Sequence, residues 1–317
     1  MAHIVRAKAD LDFRTPPEFE GRSVAYTGDS VVDEAGGSVQ MGFRIAQLEP
    51  GGSVDSHVHS FEESVYVLDG RLTVDTAEGS LELVAGDYGL IPVGATHALR
   101  NTDGDDPAEF AEMKAPLPRE RFGFDTQFPP PLATTEARPI DVRDPRTRSF
   151  GHIDPENMDP AMQTQDRLAL SASMRTALLV YSGISVKMMV DSDIGADLST
   201  MFMVQYEQGG FAGQHDHPLE EAYLILDGEV EATFDEGTYR LGPGDVAWAG
   251  VGCVHAFRNV TESPSGRVRW LETQAPQPPG RHSYRFVRDW THLENALAQA
   301  QDDLGQPSPN GQGARHG

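Results

Sequence analysis

The chain has few residues of several kinds, and each scarcity excludes a class of protein. Its 317 residues include one cysteine, so an intrachain disulfide framework is excluded. A single cysteine is typical of a reducing compartment, and we expect a cytoplasmic protein. Lys and Arg number 25 against 49 Asp and Glu, which gives a formal net charge of −24 at pH 7. Because contacts to phosphate groups need clustered basic residues, we predict no nucleic-acid partner.

Long apolar runs are also missing from the sequence. No run approaches the roughly 20 residues that span a bilayer. The first residues, MAHIVRAKADLDF, contain no apolar stretch followed by a cleavage site. We therefore predict neither a membrane partner nor a signal peptide.

A pattern of histidine, glutamate and glycine residues occurs twice, and each member of the second copy follows its counterpart by 158 positions. The first copy consists of Gly51, His57, His59, Glu63, Gly70, Gly86, Pro92, Gly94, His97 and Asn101. The second copy consists of Gly209, His215, His217, Glu221, Gly228, Gly244, Gly252, His255 and Asn259. An internal repeat of this length predicts two equivalent modules in one chain.

Short apolar runs of alternating character, separated by turn signals, dominate both copies. They predict an all-β fold of barrel or sandwich type. We predict an N-terminal barrel over 1–126, a proline-rich linker over 127–150, a C-terminal barrel over 151–295 and a disordered tail over 296–317. Within 155–182 the pattern favours a short helix that starts near Asp159, followed by a strand in RTALLVYSG.

The repeated histidines have the spacing of metal ligands. Side chains alternate along a strand, so His57 and His59 face one side, and Glu63 keeps that face if the strand continues. His97 comes from another strand, after a turn at 92–94. Three imidazoles and one carboxylate on an octahedral ion leave two positions open, as in catalytic sites. The same reasoning gives a second ligand set of His215, His217, Glu221 and His255.

Both copies resemble the cupin superfamily, whose motifs are G(X)5HXH(X)3,4E(X)6G and G(X)5PXG(X)2H(X)3N. The first copy matches both motifs, whereas the second has Gly250 in place of the proline, which predicts a looser turn before His255. The resemblance covers roughly 38–115 and 184–280. It implies a bicupin, with two double-stranded β-helix (jelly-roll) barrels and one divalent transition metal in each. Fe(II) and Mn(II) are the expected ions, and Ni, Cu and Zn are alternatives.

The residues beside the ligands predict the character of each pocket. The inward positions would be Gln47, Val65, Val67, Leu90 and Leu99 in the first barrel, and Gln205, Tyr223, Ile225, Trp248 and Phe257 in the second. The first pocket is then aliphatic and the second aromatic. Aromatic walls suit a planar substrate, but the same rings could simply fill the core. The two glutamines could hydrogen-bond either a metal-bound ligand or a backbone group.

Four further residues receive no role in the site. We expect Arg44, Arg100 and Arg258 to point outward, without a role in anion binding. We expect Cys253 to pack as a small apolar residue.

The leading hypothesis is a metal-dependent dioxygenase that combines a small enolic or aromatic substrate with O₂. Glu63 or Glu221 would act as both ligand and proton acceptor. The layout resembles bicupin quercetinases, although those have one residue more before the glutamate. The alternatives are a non-redox hydrolase or lyase, similar to the ureidoglycine aminohydrolases or oxalate decarboxylase, and a metal-containing small-molecule binding protein. Exposed barrel sheets also favour a homo-oligomer.

Overall fold

The structure is a computed structural model that describes residues 2–102, 105–141, 143–159, 175–179 (backbone only), 183–262, 266–277 and 298. It is nearly all-β, as the alternating pattern predicts. Among the described residues, no helix has both the length and the apolar character needed to cross a membrane.

The strands up to the middle of the chain are β1 (His3–Arg6), β2 (Ser23–Val32), β3 (Gly42–His59), β4 (Glu62–Asp69), β5 (Arg71–Thr76), β6 (Gly79–Val84), β7 (Asp87–Ile91), β8 (His97–Arg100), β9 (Ala108–Ala115), β10 (Thr126–Gln127), β11 (Arg138–Pro139) and β12 (Phe150–His152). The later strands are β13 (Arg175–Leu179), β14 (Ile184–Val190), β15 (Thr200–Tyr206), β16 (Phe211–His215), β17 (Glu220–Asp227), β18 (Val230–Phe234), β19 (Gly237–Leu241), β20 (Val246–Ala249), β21 (His255–Asn259) and β22 (Val268–Ala275). Short 3₁₀ turns occur at Lys8–Asp10, Pro17–Phe19, Glu120–Asp125, Pro145–Thr147 and Pro155–Met158.

The N-terminal barrel is a sheet with strand order β11-β6-β5-β8-β3-β9-β4-β7-β12, and β2 and β10 also pair with β3. Its long strand β3 pairs with β2 and β9 in its first half and with β8 near its end. In the C-terminal barrel the corresponding stretch is divided between β15 and β16, which lie in separate sheets of orders β1-β20-β17-β22-β15-β14-β13 and β16-β21-β18-β19. Each barrel thereby closes around one interior.

Strand pairing crosses the predicted domain boundaries in both directions. Strand β1, from the start of the chain, pairs with β20 of the C-terminal barrel. Strand β12, from the end of the proline-rich segment, pairs with β7 of the N-terminal barrel. Each barrel is therefore completed by a strand from outside its own repeat, and the predicted domain ranges remain a prediction.

The proline-rich segment packs along the N-terminal barrel. Strand β10 pairs with the end of β3, and β11 lies parallel to β6. Phe150 is buried in the barrel core, with Phe128 and Ile140 packed against it. The predicted helix near Asp159 falls mainly outside the described residues, and so does the predicted tail except for Ala298. The strand predicted in RTALLVYSG is present as β13.

A third apolar core lies between the two barrels. Because side chains alternate, Phe43 and Ile45 of β3 enter this core, whereas Ala46 lies in the interior of the N-terminal barrel. Met201 and Met203 of β15 enter the same inter-barrel core from the other side. Fully burying side chains of this size contributes about 1.5–3 kcal/mol each, so the interface is a substantial part of the stability.

Two buried carboxylates join the barrels reciprocally. Glu220 of the C-terminal barrel accepts hydrogen bonds from Ser38 Oγ (2.6 Å), Val39 N (3.0 Å) and Gln40 N (3.2 Å). Its counterpart Glu62, in the N-terminal barrel, accepts hydrogen bonds from the other barrel: Asp197 N (2.6 Å), Leu198 N (3.0 Å) and Ser199 Oγ (3.0 Å). Each carboxylate thus satisfies the polar groups of a loop in the opposite barrel.

Glu220→Ala is expected to destabilise the protein by about 3 kcal/mol, because it removes the acceptor of three hydrogen bonds from the loop of the other barrel. The measurement is the free energy of unfolding in urea. Glu231→Ala, at an exposed glutamate of the same barrel, is the control and should change stability by less than about 0.5 kcal/mol. Equal effects of the two substitutions would contradict the assignment of Glu220 to the interface.

His152 gives the stability a defined pH dependence. Its Nδ1 lies 2.8 Å from Asp87 and its Nε2 3.1 Å from Asp154, and chiefly the bond to Asp87 raises the pKa of His152 from 6.5 to about 9. A raised pKa stabilises the fold below 6.5 and loses that contribution as the pH rises through 9. The free energy of unfolding should therefore fall between pH 6.5 and 9, and by less in His152→Gln. An identical pH profile in both proteins would disprove the assignment.

Candidate metal centres

All six repeated histidines are oriented by a backbone carbonyl. The bonds join Nδ1 of His57 to Asp55 O (2.8 Å), of His59 to Phe61 O (2.7 Å), of His97 to Ala95 O (3.1 Å), of His215 to Gly213 O (2.8 Å), of His217 to Leu219 O (2.9 Å) and of His255 to Cys253 O (2.9 Å). A carbonyl only accepts, so Nδ1 carries the proton and Nε2 presents a lone pair. This arrangement is the usual one for histidines that bind metals.

The first centre lies at the end of β3. His57, His59, Glu63 and His97 are all buried, and their ligand atoms lie within 4.8 Å of one another. The nearest carboxylate oxygen of Glu63 is 2.9 Å from His59 Nε2 and 3.6 Å from His97 Nε2. His97 stands opposite His57 in the β3–β8 register, which explains how residues 40 positions apart meet.

The second centre repeats this geometry with a more strongly held carboxylate. His215, His217 and His255 bring their ligand atoms within 4.8 Å of one another. One oxygen of Glu221 is 2.8 Å from His217 Nε2 and 3.3 Å from His255 Nε2. Glu221 also accepts hydrogen bonds from Tyr223 Oη and from the Nε2 of Gln274.

Both donor sets fit a divalent cation. Lone pairs of imidazole and carboxylate face each other at these distances, and only a positive charge between them makes the contact favourable. The Nε2 atoms of His97 and His255 are buried and have no hydrogen-bond partner among the described residues. A bound metal would satisfy them and would take the Nε2 atoms and the glutamate oxygen as ligands.

The electrostatics favour the metal-binding protonation states of several ligands, although at His217 the nearby Glu221 outweighs burial and raises the pKa. Burial, followed by the neighbouring imidazoles, lowers the pKa of His57 well below its usual value and that of His215 to about 4. Burial alone would raise the pKa of Glu63 and Glu221, but their histidine contacts lower it well below the usual value. Neutral imidazoles and ionised carboxylates are the forms that bind metals.

The turn before the last histidine is the same in both barrels. Gly94 N donates to His59 O (3.0 Å), and Gly252 N donates to His217 O (3.0 Å). The expectation of a looser turn at Gly250 is therefore wrong. Gly250 uses the N–H that a proline would lack to bond Ala2 O (3.0 Å), which extends the pairing of β1.

Tyr223 and Phe257 lie beside the second centre, as predicted from their spacing. The rings of these two residues are 4.8 Å apart, and each lies about 6 Å from the ring of His255, at 6.2 and 5.8 Å. Ile225 lies in the same interior cluster.

The predicted inward orientation of Gln47, Gln205 and Trp248 is wrong. Trp248 lies in the inter-barrel core, and so does Leu90 of the first barrel. Gln205 Nε2 donates outside the barrel, to Met158 O (3.4 Å) and Glu207 Oε1 (3.1 Å). Gln47 lies between the interior residues Ala46 and Leu48, so it points to the opposite face.

Val65, Val67 and Leu99 face the interior of the N-terminal barrel, and aromatic rings, which the sequence did not predict there, adjoin its histidines. Phe61 stacks on His59, with ring centroids 3.9 Å apart. Phe19 and Phe128 lie 5.0 and 6.3 Å from His57. Phe19 and Phe128 come from segments without strand periodicity, so the alternating pattern gave no signal for them.

Arg44 is buried, not outward as predicted. It bonds Glu18 (2.5 Å) and Glu112 (3.2 Å), and Lys114 lies 3.1 Å from Glu112. The error has a simple cause: a charged residue can face the interior when two carboxylates neutralise it. Lys114 stands opposite Glu63 in the β4–β9 register, and this buried group of charges therefore adjoins the first centre.

The other residues without a predicted role behave more simply. Arg100 is half-buried and bonds Asp75, and Arg258 is exposed. Cys253 is buried, and burial raises the pKa of its thiol to about 12.

Comparison with known proteins agrees with this geometry. The family described as Cupin domain matches residues 44–113 and 202–271. Together, the β-barrels and their two histidine–glutamate sets define a metal-binding protein of the bicupin type. The chain carries two cupin domains.

Individual relatives share the fold at low sequence identity. The chain is 34% identical over 99 residues to polyketide synthase CurC from Streptomyces cyaneus; the match covers 30% of this chain and only 64% of that protein, less than two thirds of its length. A variant of salicylate 1,2-dioxygenase from Pseudoaminobacter salicylatoxidans, solved with gentisate, is 16% identical (TM-score 0.58, covering 82% and 72% of the two chains). Oxalate decarboxylase from Lactobacillus farciminis is also 16% identical (TM-score 0.59, covering 97% and 94%).

The double substitution His57→Ala, His59→Ala is expected to empty the first centre and leave the second occupied, because no ligand is shared. Metal content, measured by elemental mass spectrometry, should fall by about one equivalent per chain. The matched variant is His215→Ala, His217→Ala, with the reverse occupancy. Loss of both metals from either variant would contradict independent centres.

Proposed function

We propose that the protein is a metal-dependent dioxygenase that acts on a small enolic or phenolic molecule at the N-terminal centre. The observation that carries this proposal is the set of three Nε2 lone pairs and one carboxylate around a common point, walled by phenylalanine rings. A divalent ion there, with Fe(II) or Mn(II) the expected choice, would supply Lewis acidity and activation of O₂.

The surroundings of the N-terminal centre suit a planar anion. Phe19, Phe61 and Phe128 provide ring faces beside the histidines. Lys114 is the residue opposite Glu63, and it also lines a neighbouring cavity of about 270 Å³ whose lining includes four acidic residues and none of the metal ligands. Since the ammonium group of Lys114 is already paired with Glu112 (3.1 Å), the bound metal would favour the ionised form of an enol or phenol, and Glu63 would accept the proton that the substrate loses.

Two relatives support this substrate class. Gentisate, the compound in the salicylate dioxygenase structure, is a phenolic acid, and polyketides are rich in enolic and phenolic groups. Both likenesses bear only on the class of substrate. The proposed substrate itself is inferred from the side chains around the N-terminal centre.

A second candidate is non-redox lyase chemistry at the C-terminal centre. Glu272 is buried there, and burial together with the charge of Glu221 raises its pKa well above the usual value. A carboxyl group with a raised pKa keeps its proton to higher pH and could deliver it to a carbanion, as a decarboxylation requires. The fold shared with oxalate decarboxylase is compatible with this alternative.

The proposal predicts that iron-loaded protein consumes O₂ with at least one class of candidate substrate. The panel to be tested contains catechols, flavonols, gentisate-like acids and 1,3-diketones. Substituting His57 and His59 by alanine removes the metal and with it several kcal/mol of transition-state stabilisation. The value of kcat/KM should therefore fall about a thousandfold or more. The His215, His217 double variant should keep most of the activity. Gln47→Ala is the control, because Gln47 faces away from the centre.

Three outcomes would contradict the proposal. One is the absence of O₂ uptake with any of the metals tested. Another is CO₂ release from a carboxylic acid without O₂ uptake, which would favour the lyase. The third is loss of activity only in the C-terminal variant.

A further inference from the structure

A third group of metal-ligating side chains lies behind the C-terminal centre and outside it. His3, Asp235 and Cys253 each offer one ligand atom, and these atoms lie within 4.8 Å of one another. The three residues come from β1, from the turn after β18 and from the loop before β21. None of them is a defined position of either cupin motif, and Cys253 fills one of the two variable positions between Gly252 and His255.

His3 is oriented like a ligand. Its Nε2 lies 2.9 Å from the hydroxyl of Tyr239, and its ring stacks on Phe234 with centroids 5.7 Å apart. Its other nitrogen, Nδ1, is buried and has no hydrogen-bond partner among the described residues. A nitrogen buried in this way costs free energy unless something binds it, and the bond from Nε2 holds the ring as outer-sphere partners hold metal-binding histidines.

Asp235 and Cys253 are close neighbours. The Sγ of Cys253 and a carboxylate oxygen of Asp235 lie within 4.8 Å of each other. The aspartate backbone is fixed by its own N–H bond to Val254 O (2.7 Å), and its Oδ1 accepts from Val254 N (3.2 Å). Cys253 is 1% exposed, whereas His3 and Asp235 are half-buried, so an ion can reach the group from the His3 and Asp235 side.

The group is specific to the second copy of the repeat. At the positions 158 residues earlier, Ala77 and Ala95 replace Asp235 and Cys253. The N-terminal barrel therefore keeps the fold and its metal ligands without these side chains. The fold alone does not account for an aspartate and a cysteine at these two positions.

We propose that His3 Nδ1, the Asp235 carboxylate and Cys253 Sγ form a third metal site, for a borderline divalent ion of the Zn²⁺ type. A nitrogen, an oxygen and a sulfur donor suit such an ion, and water can complete a tetrahedron. The metal would tie β1 to the C-terminal barrel. It would also adjoin the second centre, because Cys253 O accepts the Nδ1–H bond of His255.

The test uses Co²⁺ as a spectroscopic probe of the metal-free 317-residue chain. Cys253 is the single cysteine of the chain, and both cupin centres have only nitrogen and oxygen donors. A thiolate-to-cobalt charge-transfer band in the near ultraviolet therefore reports the third site alone. We expect the band to saturate at about one equivalent per chain and to disappear on competition with Zn²⁺.

Variants distinguish a three-ligand metal site from binding of cobalt by the cysteine thiol alone. Cys253→Ser should abolish the band, and His3→Gln and Asp235→Asn should each weaken Co²⁺ binding by at least about tenfold. The matched control, Ala95→Cys in a Cys253→Ala background, places the only cysteine at the equivalent position of the first barrel and should give no band. His3→Gln lies on a terminal strand, so it gives a readout even if a core variant misfolds.

Two results would overturn the proposal. One is the absence of a charge-transfer band in wild-type protein whose cupin centres do bind Co²⁺. The other is a band of unchanged affinity in both His3→Gln and Asp235→Asn, which would mean that the thiol binds cobalt without these partners. Neither result depends on enzymatic activity, so the dioxygenase proposal would be unaffected.

Discussion

In each barrel, two adjacent glutamates point to opposite faces of one strand, and this alternation couples the inter-barrel interface to the metal centre. In β4, Glu62 points to the opposite barrel and bonds its loop, so the next residue, Glu63, must point inward. In β17, Glu220 and Glu221 repeat this division. A shift of either strand by one residue would exchange the two carboxylates and lose both functions at once, so inter-barrel packing fixes where each ligand carboxylate lies.

A second constraint is the crowding of lone pairs inside each barrel. Backbone carbonyls hold the Nδ1 proton of every repeated histidine, which turns three Nε2 atoms toward one carboxylate. Without a cation, such a buried arrangement is unfavourable, and the fold tolerates it because strand pairing positions each ring independently of the others. The centres are therefore preorganised by the backbone, and the metal is expected to rigidify them only modestly.

The sequence was sufficient for the ligands and the fold, but not for the faces of the neighbouring strands. The predicted inward orientation of Gln47 and Gln205 assumes that side chains alternate regularly between them and His57 or His215. The β3–β8 register shifts between Val54 and His57, and the β16–β21 register shifts between Ala212 and His215. One extra residue reverses the face, and nothing in an isolated sequence marks such a bulge. Phe19 and Phe128 were missed because long-range packing, not a local pattern, brings irregular segments to the histidines.

The two centres have the same types of ligand, but a different residue lies opposite the glutamate ligand in each. Lys114 faces Glu63 across the β4–β9 pair, whereas Gln274 faces Glu221 across the β17–β22 pair. The ammonium group of Lys114 is shared with Glu112 (3.1 Å), whereas the amide of Gln274 donates a hydrogen bond to Glu221 itself. The same donor set is thus placed in two different fields. Since a metal ion takes its chemistry from its surroundings as well as from its ligands, this exchange would give the two centres different reactivity.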